Sequence, residues 1–197
     1  AGWFLNEWLA WGGDCAALAV LRWYAVYRAL VRAKVAGLRG DAGEIADYLA
    51  MAERLTRPPA RRLTITFGLS GSGKTTASGR LLMADPGAAT VRLRSDVERK
   101  RLFGLEPDAP SGGTIYTADA NERTYGRLRD LAAEGLAAGW SVIVDAAFLK
   151  RAERDAFRRL AQGMQAPFAI LACEAPIEEL RRRAAARKPC TDPLLRL

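Results

Sequence analysis

Residues 68–75 read GLSGSGKT and directly follow the apolar run RLTITF. The spacing is G-x-x-x-x-G-K-[ST], with Gly68, Gly73, Lys74 and Thr75 in the fixed positions. Glycines let backbone N–H groups turn inward and approach an anion closely. A helix that begins near Gly73 aims its positive dipole end at the same point. Lys74 would reach the β- and γ-phosphates of a nucleotide, and the Thr75 hydroxyl would ligate the Mg²⁺ that accompanies them. Gly68, Leu69, Ser70, Gly71, Ser72, Gly73, Lys74, Thr75 and Thr76 are therefore the expected ATP-binding segment, with Lys74 also catalytic. The alternative is a glycine-rich turn that binds nothing. A strand-like run before and a helix-like run after give the context that a cradle requires.

Phosphate chemistry needs more than a cradle. SVIVD at 141–145 is an apolar strand ending in a carboxylate, and Asp145 would hold Mg²⁺ with Thr75, directly or through water. A helix N-cap is its other reading. Position 146 is Ala, so the water-activating carboxylate of ATP-driven motors is missing. No N-K-x-D guanine reader exists either; the only asparagines, Asn6 and Asn121, fit no such pattern. Motor ATPases and GTPase switches lose ground, and a small kinase gains it. A kinase needs a base for the acceptor hydroxyl. RSDVERK at 94–100 offers Asp96 as that base, with Arg99 on the same helical face to clamp acceptor or phosphate. The competing reading is a capping box of Ser95 and Glu98, with Asp96 merely favourable near the helix dipole. ELRRRAAARK at 179–188 puts Arg183 and Arg187 four apart on one face, as a lid supplying guanidiniums during transfer or as a solvated basic helix.

The elements that must hold these residues show in the periodicity. Strand-like runs at 63–67, 90–94, 140–145 and 167–173 alternate with helical stretches at 74–83, 96–103, 117–138, 150–162 and 176–187. Such alternation implies parallel pairing and an α/β sandwich. Ligands then sit at the carboxyl ends of strands, where Gly68, Asp96 and Asp145 fall. Residues 104–116 read as a loop. Ahead of this unit, 14–38 predicts one long helix with Val20, Tyr24, Tyr27, Val31 and Val35 in an apolar stripe, and 42–55 a second helix. Trp3, Phe4, Trp8 and Trp11 read as core or interface packing. The Pro-Pro break in TRPPARR divides the chain into a helical segment (1–57), a linker (58–61) and a P-loop unit (62–197).

Composition narrows the partners. Of 197 residues, 50% are hydrophobic and 26% charged, an ordinary soluble balance. The chain opens on Ala1 without an initiator Met, which reads as a piece of something longer. Residues 15–31 are apolar, but Arg22 and Arg28 interrupt them and Arg32 and Lys34 follow, so a spanning helix is not expected, and no signal-peptide pattern is read in the given residues. Cys15, Cys173 and Cys190 give neither a disulfide framework nor a zinc pattern, and suit a reducing cytoplasm. There is no histidine, which excludes Ser–His and Cys–His triads and leaves a carboxylate, or a lysine or tyrosine, as general base. Net charge is +8; residues 1–60 hold 7 Lys/Arg and 6 Asp/Glu, while 61–197 hold 23 and 16. This excess on the P-loop side fits a phosphate-rich ligand, and charge alone would serve nucleic acid equally. Nucleic acid is not favoured, because the arginines of 92–101 and 181–188 have no interleaved aromatics for base stacking.

Residues 62–187 resemble the P-loop kinase domains grouped with phage polynucleotide kinase, zeta toxin and gluconate-kinase-like enzymes, through GLSGSGKT, RSDVERKRL, VIVDAAFL and LRRRAAAR. Asp96 and Arg99 resemble that group's acceptor-site pair. WYAVYRALVRAKVAGLR at 23–39, joined to this unit, resembles bacterial two-part proteins in which an aminoglycoside-phosphotransferase-like domain precedes an ATP-binding, AAA-type kinase domain. The resemblance implies a nucleoside-kinase-like P-loop fold, preceded by the last helices of the first domain. Lacking histidine, that part cannot carry the first family's catalytic H-x-D motif. A further strand and helix would follow this chain's end, and the rest of the parent chain would be a partner. The expected activity is transfer of the ATP γ-phosphoryl group, with Mg²⁺, to a hydroxyl of a small molecule or nucleotide. Rival readings are a regulatory ATPase module and a polynucleotide 5′-hydroxyl kinase or RNA-binding protein.

Overall fold

The computed structural model describes residues 2–57, 60–85, 87–110 and 115–186. Three helices come first: α1 (Gly2–Gly12), α2 (Leu18–Leu38) and α3 (Ala42–Thr56). An alternating series follows, with β1 (Leu63–Phe67), α4 (Lys74–Met83), β2 (Thr90–Arg94), α5 (Ser95–Leu102) and α6 (Ala118–Ala137). It continues through β3 (Ser141–Asp145), α7 (Arg151–Gly163), β4 (Phe168–Ala172) and α8 (Ile177–Ala186). The strands pair in parallel in the order β2-β3-β1-β4, the α/β architecture that the alternation predicts.

The burial of each strand follows its place in that order. Central β3 and β1 bury Leu63, Ile65, Val142 and Val144 completely, as strands covered on both faces do. At one edge, β2 buries Val91 and Leu93 and leaves Thr90, Arg92 and Arg94 half-buried. At the other edge β4 is largely exposed. Right-handed crossovers put α4 on one face of the sheet and α6 and α7 on the other. The contacts of α1 with α4, and of α6 with α7 and α2, agree with that arrangement.

The first helix meets the β2 edge, and the start of α2 joins the core. Leu9, Cys15 and Leu18 enter the same apolar cluster as Val91, Leu128, Trp140 and Val144. Trp140 Nε1 donates to the Leu18 carbonyl at 3.1 Å, and Arg22 lies 4.8 Å over the Trp140 ring. Burial, then the nearby Glu98 and Glu134 carboxylates, pushes the Cys15 thiol up to about 11. Cys15 and Cys173 are both free and buried, while Cys190 lies outside the described residues. The outer edge of β2 is met by a side chain. Asn6 Nδ2 donates to Thr90 O at 3.1 Å, and Asn6 Oδ1 accepts from Arg92 N at 2.5 Å. One carboxamide thus stands in for a residue of a neighbouring strand and blunts an edge open to association.

Two expectations change here. Trp3, Phe4, Trp8 and Trp11 are exposed, because α1 turns Asn6 and Leu9 inward instead. Of the two packing readings for that cluster, the core is thereby excluded. The stripe on α2 also faces outward at Val20, Tyr24, Tyr27 and Val35, and the buried side is Leu18, Ala29, Ala33 and Ala36. Alanines let α3 close tightly on α2, which bulky rings at the same spacing would prevent. Among the described residues, no helix is long and apolar enough to cross a membrane.

Asn6→Ala should lower the unfolding free energy by about 2 kcal/mol, since two backbone groups of β2 lose their partner. Chemical denaturation checks this. A loss below about 0.5 kcal/mol would show that water satisfies the β2 edge as well as the carboxamide does.

Candidate active site

The cradle begins where β1 and β3 are tied together. Thr66 Oγ1 donates to Ala146 O at 2.6 Å and accepts from Ala146 N at 3.0 Å. One step on, Gly68 N donates to Ala147 O at 3.2 Å. Gly68 has φ +145, and a Cβ there would stand 2.2 Å from the Cys173 carbonyl oxygen, so no side chain fits. Gly73, at φ 90, is the left-handed N-cap of α4. The first amides of α4 have no intrahelical acceptor and point out of its N-terminus. Ser72 Oγ is buried with no hydrogen-bond partner among the described residues, an orphan that suits a loop built around a ligand. Lys74 Nζ donates to Gly68 O at 2.9 Å and Leu69 O at 2.7 Å, folding back along the loop it serves.

Asp145 ends β3 buried, and Ser78 Oγ donates to its Oδ2 at 3.0 Å. The loop after it is pinned at Phe148, whose N–H donates to the Tyr125 hydroxyl at 3.0 Å. The Phe148 ring packs edge-on against Tyr125 and Phe157. That packing holds Phe148 at φ 50, a conformation few non-glycine residues adopt. Among the described residues, no group of three or more His, Cys, Asp or Glu gathers to hold a metal. Mg²⁺ asks for less: one or two protein oxygens, with phosphate and water completing its shell. Thr75, exposed in the first turn of α4, and Asp145 fit such an ion.

The second cluster lies one strand over. Arg94 is the register partner of Asp145, and α5 starts immediately after it. The capping box does not form. Glu98 is buried and turned into ion pairs with Arg101 and Arg127, and the N-cap residue Arg94 makes no side-chain cap. Asp96 and Arg99 do share a face, with Tyr116 between them. Asp96 Oδ2 pairs with Lys100 Nζ at 3.1 Å, and the Tyr116 hydroxyl stands 3.5 Å from Oδ1. Arg99 lies 4.7 Å over the Tyr116 ring and donates to Asn121 Oδ1 at 2.5 Å. Its Nε is buried with no hydrogen-bond partner among the described residues.

A third element touches the cradle from above. Arg183, on α8, donates from Nη1 to Gly71 O at 2.9 Å and from Nε to Glu179 at 2.6 Å. Arg187 lies outside the described residues. Sequence reasoning passed over Thr66, Ser78, Arg92, Tyr116 and Asn121. The alternation in TVRLR carried a usable signal, because it puts Arg92 and Arg94 on one face opposite Val91 and Leu93. Tyr116 and Asn121 carried none, since Tyr116, just ahead of α6, and Asn121, on α6, meet Arg99 only in the folded chain.

Gly68→Ala should cost about 3 kcal/mol or more, because both its dihedral and the Cys173 carbonyl oppose a Cβ. Chemical denaturation beside wild type measures it. An unchanged unfolding free energy would show that the ends of β1 and β4 can part freely.

Residues 63–193 match the AAA domain family. Over 194 residues the chain is 29% identical to uncharacterised proteins of Mycobacterium tuberculosis (strain ATCC 25618 / H37Rv) and Mycobacterium bovis (strain ATCC BAA-935 / AF2122/97). These alignments cover 93% of this chain and 38% of each relative, so the chain spans about two fifths of the length of the curated relatives it matches. Among solved structures, APE1195 is similar at 26% identity and TM-score 0.53, over 64% of this chain and 68% of that one. The Mycobacterium tuberculosis APS kinase CysC, solved with AMPPNP and APS, is similar at 24% identity and TM-score 0.49, over 66% and 71%. The likeness to APE1195 bears on the fold. With a family match that runs from β1 past α8 and takes in the phosphate loop and the whole parallel sheet, the chain belongs to the AAA domain family, on a P-loop α/β fold.

Proposed function

We propose that this chain is the ATP-binding part of a kinase, which transfers the γ-phosphoryl group of Mg·ATP to a hydroxyl of a small molecule or nucleotide. The observation that carries this reading is the second cluster. Binding a nucleotide needs only a phosphate cradle and a metal carboxylate. Here Asp96, Tyr116 and Arg99 also gather at the same end of the sheet, with the Arg99 Nε donor buried and unmatched among the described residues. An unmatched buried donor beside a carboxylate is what a hydroxylated or phosphorylated acceptor would complete.

In this reading residues 68–76 hold the triphosphate, and Lys74 exchanges the Gly68 and Leu69 carbonyls for phosphate oxygens. Thr75 and Asp145 would hold Mg²⁺, which when bound would supply neutralising charge to the triphosphate. Asp96 accepts the proton of the acceptor hydroxyl, and Arg99 clamps the acceptor. Arg183 and Arg187 bring guanidiniums over the cradle as α8 closes, stabilising charge that develops during transfer. We read residues 1–57 as the end of a preceding phosphotransferase-like helical domain, 58–61 as its linker and 62–197 as the kinase unit. The outward aromatics of α1 suit contact with the remainder of the parent chain. Two free, buried cysteines suit a reducing cytoplasm as its compartment.

Screening sugars, aminoglycosides, nucleosides and 5′-hydroxyl oligonucleotides for acceptor-dependent ADP release tests the proposal. With the acceptor so found, Asp96→Asn should lower transfer by roughly 10²–10⁴-fold while leaving ATP affinity nearly intact. A full-rate mutant returns Asp96 to its ion pair with Lys100 as a structural residue. Absence of acceptor-dependent release across the whole screen favours a regulatory ATPase module instead.

A further inference from the structure

One turn after Lys74 and Thr75, α4 carries Ser78 and Gly79, both poor choices for a helix interior. Ser78 is 0% exposed. Its Oγ lies 3.0 Å from Asp145 Oδ2 and 3.2 Å from Thr75 O. A hydroxyl has one proton and cannot satisfy both acceptors. Arg92 decides between them. Its Nη1 reaches across from β2 to Thr75 O at 3.2 Å and to Ser78 Oγ at 3.4 Å. Arginine can only donate, so it supplies the Thr75 carbonyl and occupies a lone pair of the Ser78 oxygen. The Ser78 proton is thereby turned towards Asp145.

Two further observations point the same way. Gly79 makes room for the guanidinium, because a Cβ there would stand 3.2 Å from Arg92 Nη1. Arg92 is also fixed at its backbone, where its N–H donates to Asn6 Oδ1.

We propose that Ser78 and Arg92 are positioning residues for the divalent cation. They hold Asp145 by Oδ2 and leave Oδ1, which takes no hydrogen bond from a described residue, for the hydration shell of the ion. The same network carries the hold from α1 through Asn6 and Arg92 to the carboxylate. This inference rests on the assignment of Thr75 and Asp145 to Mg²⁺ made above.

The test is calorimetric titration of the whole chain with ATP in EDTA and with ATP plus Mg²⁺, the ratio of affinities giving the gain due to the metal. Ser78→Ala favours the helix and removes one oxygen, so the fold should persist, which a melting curve verifies. The variant should keep the wild-type affinity for metal-free ATP and lose about tenfold of the gain due to Mg²⁺. Arg92→Met should show the same split from the other end of the network. An undiminished gain in both variants overturns the proposal and leaves the kinase reading intact. Equal loss with and without Mg²⁺ also overturns it, since the residues would then serve only the loop. A wild-type chain that binds ATP equally with and without Mg²⁺ removes the metal assignment, and this inference with it.

Discussion

The Thr66 hydroxyl bonds both the N–H and the carbonyl of Ala146, and the geometry of the site follows from that double contact. It makes β1 and β3 leave the sheet at one level. The crossover from β1 runs through α4 towards β2, and the crossover from β3 runs through α7 towards β4, so the two loops diverge at this point. A crevice opens between such diverging loops, and it is where doubly wound sheets bind ligands. Gly68 lies on one side of it and Asp145 on the other. Close approach also explains the glycine: the β4 end comes so near that Cys173 O occupies the place of a side chain.

Buried charge ties the helical segment to the second cluster. Glu98 is nearly inaccessible and tolerable there only because Arg101 and Arg127 flank it. Arg101 also donates to Ala10 O at 2.6 Å and Leu9 O at 3.3 Å, near the end of α1. One guanidinium thus serves α1 and α5 together. With Asn6 on β2, α1 grips the strand and the helix on either side of Asp96. The first helix is therefore part of what sets the orientation of the cluster around Asp96, although in sequence it lies on the far side of the Pro-Pro break.

Strand and helix order was legible because it rests on local periodicity. LTITF and SVIVD are short apolar runs bounded by turns, and the glycines of the phosphate loop have a backbone requirement that sequence displays openly. What stayed hidden depended on partners distant in sequence. Nothing local says that Ser78 faces Asp145, or that Glu98 would bind Arg127 of α6 instead of capping α5. The α2 stripe misled for the same reason. Periodicity finds an apolar face, but the small residues on the opposite face decided which side α3 could approach. Both asparagines were set aside as failed guanine readers, and both proved structural, Asn6 on the β2 edge and Asn121 on Arg99.

The central claim is that the loop at 68–75 is a nucleotide phosphate cradle with Lys74 as its cation, and Mg·ATP binding to wild type and Lys74→Ala tests it most directly. Lys74 Nζ donates to two loop carbonyls, so its removal takes away charge and little packing. Wild type should bind Mg·ATP, and the variant should bind about ten- to a hundredfold more weakly while unfolding at the wild-type denaturant midpoint. Equal affinity in the two folded proteins, or no binding by either, would contradict the claim.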